Sequence, residues 1–231
     1  MGIPALDPHN VRVPRIPRRD VLYLTKSEIE AFVNGIIAPN EAWSTASISR
    51  LRFRALVEVL LGTGARISEA LSLTRDSIDA DRKEAKIIGK GNKERVLFFS
   101  DRALLWLQRY LSTRRDDEKA VFVTTRGAPR RLERQAIKRQ FKAYQLRAGI
   151  TKKVTPHILR HTMATTLLFN GCPIGHIKDI LGHERLETTC RYYLGLDKRA
   201  ARHAHENFLR YDDTAAMTSV EARRLDKDSG G

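Results

Sequence analysis

The sequence predicts a mainly α-helical domain with one small antiparallel β-sheet, an α+β fold. Apolar residues recur at helical spacing in several segments that are separated by Gly and Pro. One stretch, 84–98, instead contains two short runs rich in Ile, Val and Phe around Gly91-Asn92, which is typical of a β-hairpin with a tight turn. At 231 residues the chain is long enough for one large domain or two small ones.

Helix-start and helix-stop residues organise the first part of the chain. Thr25 and Glu28 form a capping box that opens a helix, and Pro39 stops it. We expect Gly62 and Gly64 to end the following helix. The helices predicted before the hairpin are 25–37, 47–61 and 67–73.

The second half of the chain is mostly helical. Thr155 followed by Pro156 is a favoured helix start, because Thr caps free N–H groups and Pro suits the first helical position. The elements predicted after the hairpin are helix 101–113, strand 121–123, basic helix 132–147, the helix from Thr155, and helices near 173–181, 187–193 and 197–209.

Charge is the strongest compositional feature. The chain has 42 Lys and Arg against 27 Asp and Glu, a net charge of +15. A field of this sign attracts polyanions, and nucleic acid is the commonest polyanion that a cytosolic protein meets. The composition therefore favours a nucleic-acid-binding protein over a merely soluble basic one.

Terminal composition and cysteine content predict the compartment and the domain limits. No apolar run approaches the roughly 18 residues of a membrane span, and no apolar region precedes the N-terminal arginines as in a signal peptide. Cys172 and Cys190 form no disulfide framework, which favours the cytoplasm. We expect a basic arm or linker remnant over 1–22, a folded domain over 23–211 and a disordered tail over 212–231.

Two histidines and an arginine follow the Thr155 cap. His157 and Arg160 share a helix face in the first turn, where the dipole and free N–H groups favour an anion such as phosphate. The alternative is an ordinary polar helix start with a solvated arginine. His157 and His161 have zinc-ligand spacing, but no glutamate follows the first histidine and no third ligand is evident, so we expect no metal site.

Other residues that could take part in chemistry lie in turns. Arg66 follows Gly64-Ala65 and precedes Glu69 by three positions, which places the carboxylate to hold the guanidinium or to form only a surface ion pair. Lys90 and Lys93 lie at the hairpin tip, where glycines allow close approach to nucleic acid. The alternative for the lysines is a solubilising tip.

Two adjacent tyrosines, Tyr192 and Tyr193, complete the set. On a helix they point about 100° apart, so only one of them can face a given site. A tyrosine phenol, with a pKa of about 10, becomes a useful nucleophile only among cations. We expect the other tyrosine to be a packing residue.

In order along the chain, these residues resemble the signature of the tyrosine recombinases, the phage-integrase and Xer-like superfamily. The matching segments are T-G-A-R-I-S-E at 63–69, G-K-G-N-K-E-R at 89–95, H-I-L-R-H at 157–161, L-G-H at 181–183 and T-T-C-R-Y at 188–192. One such motif is a weak signal, whereas the full set in order is highly specific. The six signature positions are Arg66, Lys90, His157, Arg160, His183 and Tyr192.

The resemblance implies a tyrosine-recombinase-type catalytic domain that needs no metal, ATP or other cofactor. It implies that Tyr192, nine residues after His183, attacks a DNA phosphodiester to give a 3′-phosphotyrosyl enzyme and a free 5′-hydroxyl. Glu69, His161 and Tyr193 are then supporting residues. The resemblance further implies that Arg66 and Arg160 stabilise charge on the phosphate and that Lys90 protonates the leaving 5′-oxygen. It implies that His157 exchanges a proton with the tyrosine and that His183 donates a hydrogen bond to the phosphate.

The resemblance also implies partners. We expect double-stranded DNA, a homotetramer on that DNA, and a helix at 197–209 that docks either on a neighbouring protomer or on its own domain. Family members usually carry a helical core-binding domain before the catalytic one. Here 1–22 precede the catalytic domain expected over 23–211, so we expect either a fragment cut at the linker or a naturally minimal enzyme. We expect a cytoplasmic, nucleoid-associated protein. The DNA contacts expected from sequence are Arg12, Arg15, Arg18, Arg19, Lys93 and Arg95.

Two other functions fit parts of the pattern. A type IB topoisomerase uses a similar pocket to relax DNA alone, but the Xer-like motif detail and the helix at 197–209 favour a recombinase. The segment 174–189 also has the pattern of a helix-turn-helix, which would suit a non-catalytic DNA-binding regulator.

Overall fold

The computed structural model describes residues 22–88 and 94–183. Within these two ranges the chain forms seven α-helices and a three-stranded antiparallel sheet, which confirms the predicted α+β class. The elements are α1 Lys26–Ile36, α2 Ile48–Thr63, α3 Ile67–Ser72, β1 Ile78–Asp79, β2 Glu84–Ile88, β3 Glu94–Phe98, α4 Asp101–Ser112, α5 Arg134–Arg147, α6 Pro156–Phe169 and α7 Ile174–Leu181.

Helix α2 lies at the centre of the fold and is buried on nearly every side. It packs against α1, α4 and α6, and its side chains from Leu51 to Leu60 are almost inaccessible. Even its charged residues are internal, since Arg54 and Glu58 form a buried ion pair of 2.8 Å. A helix that is buried all round belongs to the core, not to an amphipathic surface.

The end of α2 agrees with the prediction at one glycine and differs at the other. Gly64 ends the helix in a left-handed conformation with φ of +61°. Gly62 lies inside the last turn, where an added Cβ would be 2.5 Å from the Ser100 Oγ and 2.9 Å from the Ala103 Cβ. The prediction that Gly62 ends the helix is wrong, because its lack of a side chain instead allows α2 to approach the start of α4.

The sheet has the order β1–β2–β3, and its main part is the predicted hairpin. Strands β2 and β3 pair antiparallel with Ala85 opposite Leu97 and Ile88 opposite Glu94. The turn predicted at Gly91-Asn92 lies in 89–93, outside the described residues. Strand β1 was not predicted, because two residues are too short to show alternation.

The predicted strand at 121–123 is not a regular strand. Its segment forms two isolated antiparallel bridges, Thr74 with Ala120 and Val123 with Arg131. Val121 and Phe122 are fully buried beside these bridges. The Val and Phe residues of this segment therefore reflect burial in the core and not membership of a sheet.

Caps and aromatic packing position the helices that carry the site. Thr25 caps α1 with the predicted capping box, and Thr155 Oγ1 accepts from the Ile158 N–H at 3.2 Å to start α6. Aromatic contacts join Phe32 of α1, Phe53 of α2 and Phe141 of α5, with ring centroids 5.0–6.5 Å apart. Helix α7 packs on α6 through a separate small apolar cluster.

The remaining predicted elements lie outside the described residues. They are the arm at 1–22 apart from Leu22, the helices near 187–193 and 197–209, and the tail at 212–231. The three domain limits therefore stay predictions. In the described ranges no helix is both long and apolar enough to cross a membrane.

Candidate active site

A cavity of about 410 Å³ opens where the starts of α3, α5 and α6 meet the end of α7. Four of the six signature residues line it: Arg66, His157, Arg160 and His183. They come from distant parts of the chain, since the Arg66 guanidinium donates to the Gly182 carbonyl, 116 positions away, at 3.3 Å. The fold thus gathers the guanidinium groups and imidazoles of these four residues around one space, which Arg134 and His161 also line.

Arg66 is held by Glu69, as the spacing predicted. The Glu69 carboxylate accepts from the Arg66 backbone N–H at 2.7 Å and from its Nη1 at 2.8 Å. The carboxylate is only 6% exposed, whereas the Arg66 side chain is 43% exposed toward the cavity. A buried acceptor behind an open guanidinium fixes its direction, so this pair is more than a surface ion pair.

Arg160 is buried and joins three parts of the fold. Its Nη1 donates to the Gly64 carbonyl and its Nη2 to the Leu181 carbonyl, both at 2.5 Å. The side chain is therefore not the solvated charge of the alternative interpretation. It lines the cavity at a fixed position between the end of α2 and the end of α7.

His157 and His161 form a direct pair on α6. Their Nε2 atoms are 2.8 Å apart and their rings meet edge to face, so one ring donates and the other accepts. Burial and the nearby Arg160 lower the pKa of His157. Burial, then His157, Arg160 and His183, lower the pKa of His161 to about 4. At neutral pH both rings are therefore neutral, and a neutral imidazole can accept a proton.

His183 follows the left-handed Gly182 that ends α7. Burial lowers its pKa to about 4, with further contributions from Arg160, Arg66, Arg95 and His157. A neutral imidazole beside two arginines can donate a hydrogen bond to an anion without adding a further positive charge.

Arg95 lies beneath the cavity instead of on the surface. Its Nη1 is 3.1 and 3.2 Å from the two Glu69 oxygens, and its Nη2 donates to the Ile180 carbonyl at 2.5 Å. The side chain is 11% exposed. This placement does not favour the DNA contact predicted for Arg95 from sequence.

Several predicted site residues lie outside the described ranges. They are Lys90 and Tyr192 of the six, the supporting Tyr193, and the expected DNA contacts Arg12, Arg15, Arg18, Arg19 and Lys93. In residues 22–88 and 94–183 no three His, Cys, Asp or Glu side chains cluster so as to hold a metal ion.

A basic groove continues from the cavity along α5 and was not identified from sequence. It has a volume of about 750 Å³ and shares Arg134 and His157 with the cavity. No acidic side chain is among the described residues that line it. The basic composition of the predicted helix 132–147 was the available signal. The cationic residues along the groove are Arg134, Lys138, Lys142 and Lys153.

Comparison with known proteins identifies one family. Residues 23–199 match the model described as the phage integrase family. The tyrosine recombinase XerD of Staphylococcus saprophyticus is 34% identical over 182 residues, which cover 76% of this chain and 61% of that protein. XerC of Chlamydia muridarum is 35% identical over 195 residues, which cover 82% of this chain and 59% of that protein. The chain thus spans about three fifths of the length of these relatives.

Solved structures show the same fold. The crystal structure of XerA recombinase superposes with a TM-score of 0.67 at 30% identity and covers 87% of this chain and 69% of that one. The catalytic domain of bacteriophage HP1 integrase gives a TM-score of 0.51 at 23% identity and covers 76% of this chain and 88% of that domain. At the latter identity the likeness shows the fold alone.

Proposed function

Because the chain belongs to the phage integrase family, the tyrosine recombinases, we propose that it is a site-specific DNA recombinase. It breaks and rejoins DNA through a 3′-phosphotyrosyl intermediate at Tyr192, with no need of ATP. The proposed catalytic set is Arg66, Lys90, His157, Arg160, His183 and Tyr192.

The observation that carries this proposal is the convergence of Arg66, His157, Arg160 and His183 on one cavity. Two directed guanidinium groups suit the two non-bridging oxygens of a phosphodiester. Neutral imidazoles beside them suit proton transfer and hydrogen bonding. A non-catalytic DNA-binding regulator has no need of such a buried cluster.

The proposed reaction is a transesterification that conserves the phosphodiester bond energy. The Tyr192 phenol oxygen forms a bond to phosphorus while the bond to the 5′-oxygen breaks. The phenol proton passes to His157, and Lys90 gives a proton to the leaving 5′-oxygen. A 5′-hydroxyl from a second strand then attacks the phosphotyrosine, and the protons return along the same groups.

The described residues supply the electrostatic part of this step. Arg66 and Arg160 meet the negative charge that builds on the phosphate oxygens in the transition state, an effect that for one donor is worth roughly 10²–10³ in rate. Burial and Arg160 lower the pKa of the His157 imidazole, which keeps the ring neutral at neutral pH, the form that can accept the phenol proton. The His157–His161 hydrogen bond of 2.8 Å holds the accepting ring in place.

The groove along α5 is the proposed path of the DNA. Its cationic side chains from Arg134 to Lys153 lead to the cavity, and neutralising phosphates along it would release counterions. Lys93 and the arginines of the arm are further proposed contacts. Arg95 is left out of this set because, unlike Arg160, it lines neither the cavity nor the groove.

Assembly and organisation belong to the same proposal. We propose a catalytic domain over 23–211, preceded by the basic arm, that acts as a homotetramer on DNA in the cytoplasm. The segment 197–209 would exchange between protomers and couple assembly to cleavage.

Covalent trapping tests the proposal. Duplexes that the full chain binds are selected from a randomised pool and prepared as nicked suicide substrates, on which a released fragment prevents religation. We expect a protein–DNA adduct that resists SDS. The Arg66→Ala variant is expected to form it about 10²–10³-fold more slowly. Arg82→Ala, which removes an exposed arginine of the β1–β2 turn, should match the wild type.

A plasmid assay separates the related activities. Plasmids that carry two selected sites should yield recombinants. An adduct accompanied by plasmid relaxation without recombinants would instead identify a topoisomerase. Binding without any adduct would identify a regulator and refute the proposal.

A further inference from the structure

Arg95 connects three elements beneath the cavity. It extends from β3, contacts the Glu69 carboxylate of α3 and donates to the Ile180 carbonyl near the end of α7. Its Nε is buried and has no hydrogen-bond partner among the described residues. Desolvation of a guanidinium with one unsatisfied donor is unfavourable, so the bonds to Glu69 and Ile180 must offset that cost.

Glu69 is shared between two arginines. The Arg66 Nη1 and the Arg95 Nη1 both contact the Glu69 Oε1, at 2.8 Å and 3.1 Å. Two guanidinium groups therefore face one carboxylate, so the cluster carries excess positive charge. Burial lowers the pKa of Arg95, Glu69 opposes that effect and Arg66 adds to it. Such an excess suits a site that an anion completes.

Arg95 also packs directly on the turn that carries His183. A Cβ built on Gly182 would lie 2.7 Å from the Arg95 Nη1 and 2.9 Å from its Cδ and Cζ. Only glycine leaves this space, and the same residue accepts from the Arg66 Nη2 at 3.3 Å through its carbonyl. The Gly182–His183 turn is therefore held between two arginines that share one carboxylate.

We propose that Arg95 is a positioning residue for the phosphate site, which anchors the His183 turn to Glu69 and so fixes both His183 and Arg66. The inference rests on the proposed function, because the geometry matters when a phosphate enters the cavity. It replaces the sequence-based assignment of Arg95 as a DNA contact. Arg95 acts through its neighbours and does not touch the substrate.

Two substitutions and one control test this role in the full chain. Arg95→Met removes the charge and every hydrogen bond, and Arg95→Lys keeps the charge but cannot reach Glu69 and Ile180 together. Arg52→Met is the matched control, because Arg52 is also buried, donates to a backbone carbonyl (Val123, 2.7 Å) and has a buried Nε without a partner. It does not line the cavity.

Cleavage at saturating DNA and DNA affinity are measured separately on the suicide duplex. We expect Arg95→Met to slow adduct formation about 10²-fold, the loss typical of a misplaced reacting geometry. Its DNA affinity should stay within about threefold of the wild type, since no phosphate contact is lost. Arg95→Lys should fall between the two, and Arg52→Met should keep the wild-type rate despite a lower melting temperature.

A second readout does not depend on cleavage. NMR titration of the His183 ring should show a higher pKa in Arg95→Met than in the wild type, because a cation that opposes protonation has been removed. Arg160, Arg66 and His157 also face His183 and are unchanged in this comparison. In Arg95→Lys, which keeps the charge but loses the anchor, the pKa should also rise, although by less, because a released turn reduces the burial that lowers it most.

The outcomes separate the two proposals. Wild-type protein that forms no adduct refutes the proposed function, while an unchanged His183 pKa in Arg95→Lys refutes the anchoring role on its own. Weaker DNA binding with an unchanged rate at saturating DNA would make Arg95 a DNA contact and overturn the inference. Equal rate losses in Arg95→Met and Arg52→Met would show general destabilisation and overturn it as well.

Discussion

Replacing Gly182 with alanine tests the packing behind the site most sharply. The backbone at this position has φ of +62°, which a side chain tolerates at a cost of about 1 kcal/mol. The new Cβ would also lie 2.7 Å from the Arg95 Nη1. Because that guanidinium is engaged with Glu69 and Ile180, its displacement weakens a charged hydrogen bond worth about 1.5–3 kcal/mol.

The expected loss is therefore about 3 kcal/mol of unfolding free energy. For a domain of this size it corresponds to a fall of about 6–12 °C in the melting temperature. Gly127→Ala is the matched control, because Gly127 has φ of +67° and nothing within 4 Å of an added Cβ. That variant should lose only the backbone contribution, about 1 kcal/mol or 2–4 °C.

The assay is thermal unfolding of the two variants, combined with a double-mutant cycle. In an Arg95→Ala background the clash is absent, so Gly182→Ala should again lose only about 1 kcal/mol. Equal losses for Gly182→Ala and Gly127→Ala in the wild-type background would refute the claim that Arg95 requires glycine at this turn.

Three further predictions concern pH, salt and capping. The pKa values of His161 and His183 are lowered to about 4 in the folded protein, so the fold favours their neutral forms. The free energy of unfolding, measured with urea, should therefore be highest above about pH 6.5 and should decrease between pH 6.5 and 4. A flat stability profile over that range would contradict the burial of both rings. Lys138→Ala should weaken DNA binding and reduce the slope of log affinity against log salt by about 1, whereas Lys119→Ala, outside the groove, should leave the slope unchanged. Thr155→Ala should lower the unfolding free energy by about 1 kcal/mol through loss of the cap on α6, while Thr155→Ser should retain most of it.

The fold was predictable where its signals are local. The Thr25–Glu28 capping box and the Thr155-Pro156 start each define a helix start within four residues of sequence, and the apolar runs around Gly91-Asn92 define the hairpin strands. The errors at Gly62 and at 121–123 have the opposite origin. The close approach of Gly62 to Ser100 depends on a segment far away in the sequence. The burial of 121–123 without regular strand pairing likewise depends on distant segments.

The site was predictable as a set of residues but not as an arrangement. The motifs identified Arg66 with its Glu69 support, and both were found together. Nothing in the local sequence shows that Arg95 turns inward, because its partners lie 26 and 85 positions away. The α5 groove was missed for a similar reason, since a basic helix alone does not show which of its faces joins the cavity.

The identity of the residue that becomes bonded to DNA decides whether Tyr192 is the nucleophile. The adduct from the suicide duplex would be digested with protease and nuclease, and the modified peptide sequenced by mass spectrometry. We expect a phosphotyrosine at Tyr192, no adduct from Tyr192→Phe and a normal adduct from Tyr193→Phe. A phosphotyrosine at Tyr193, or an adduct that persists in Tyr192→Phe, would contradict this expectation.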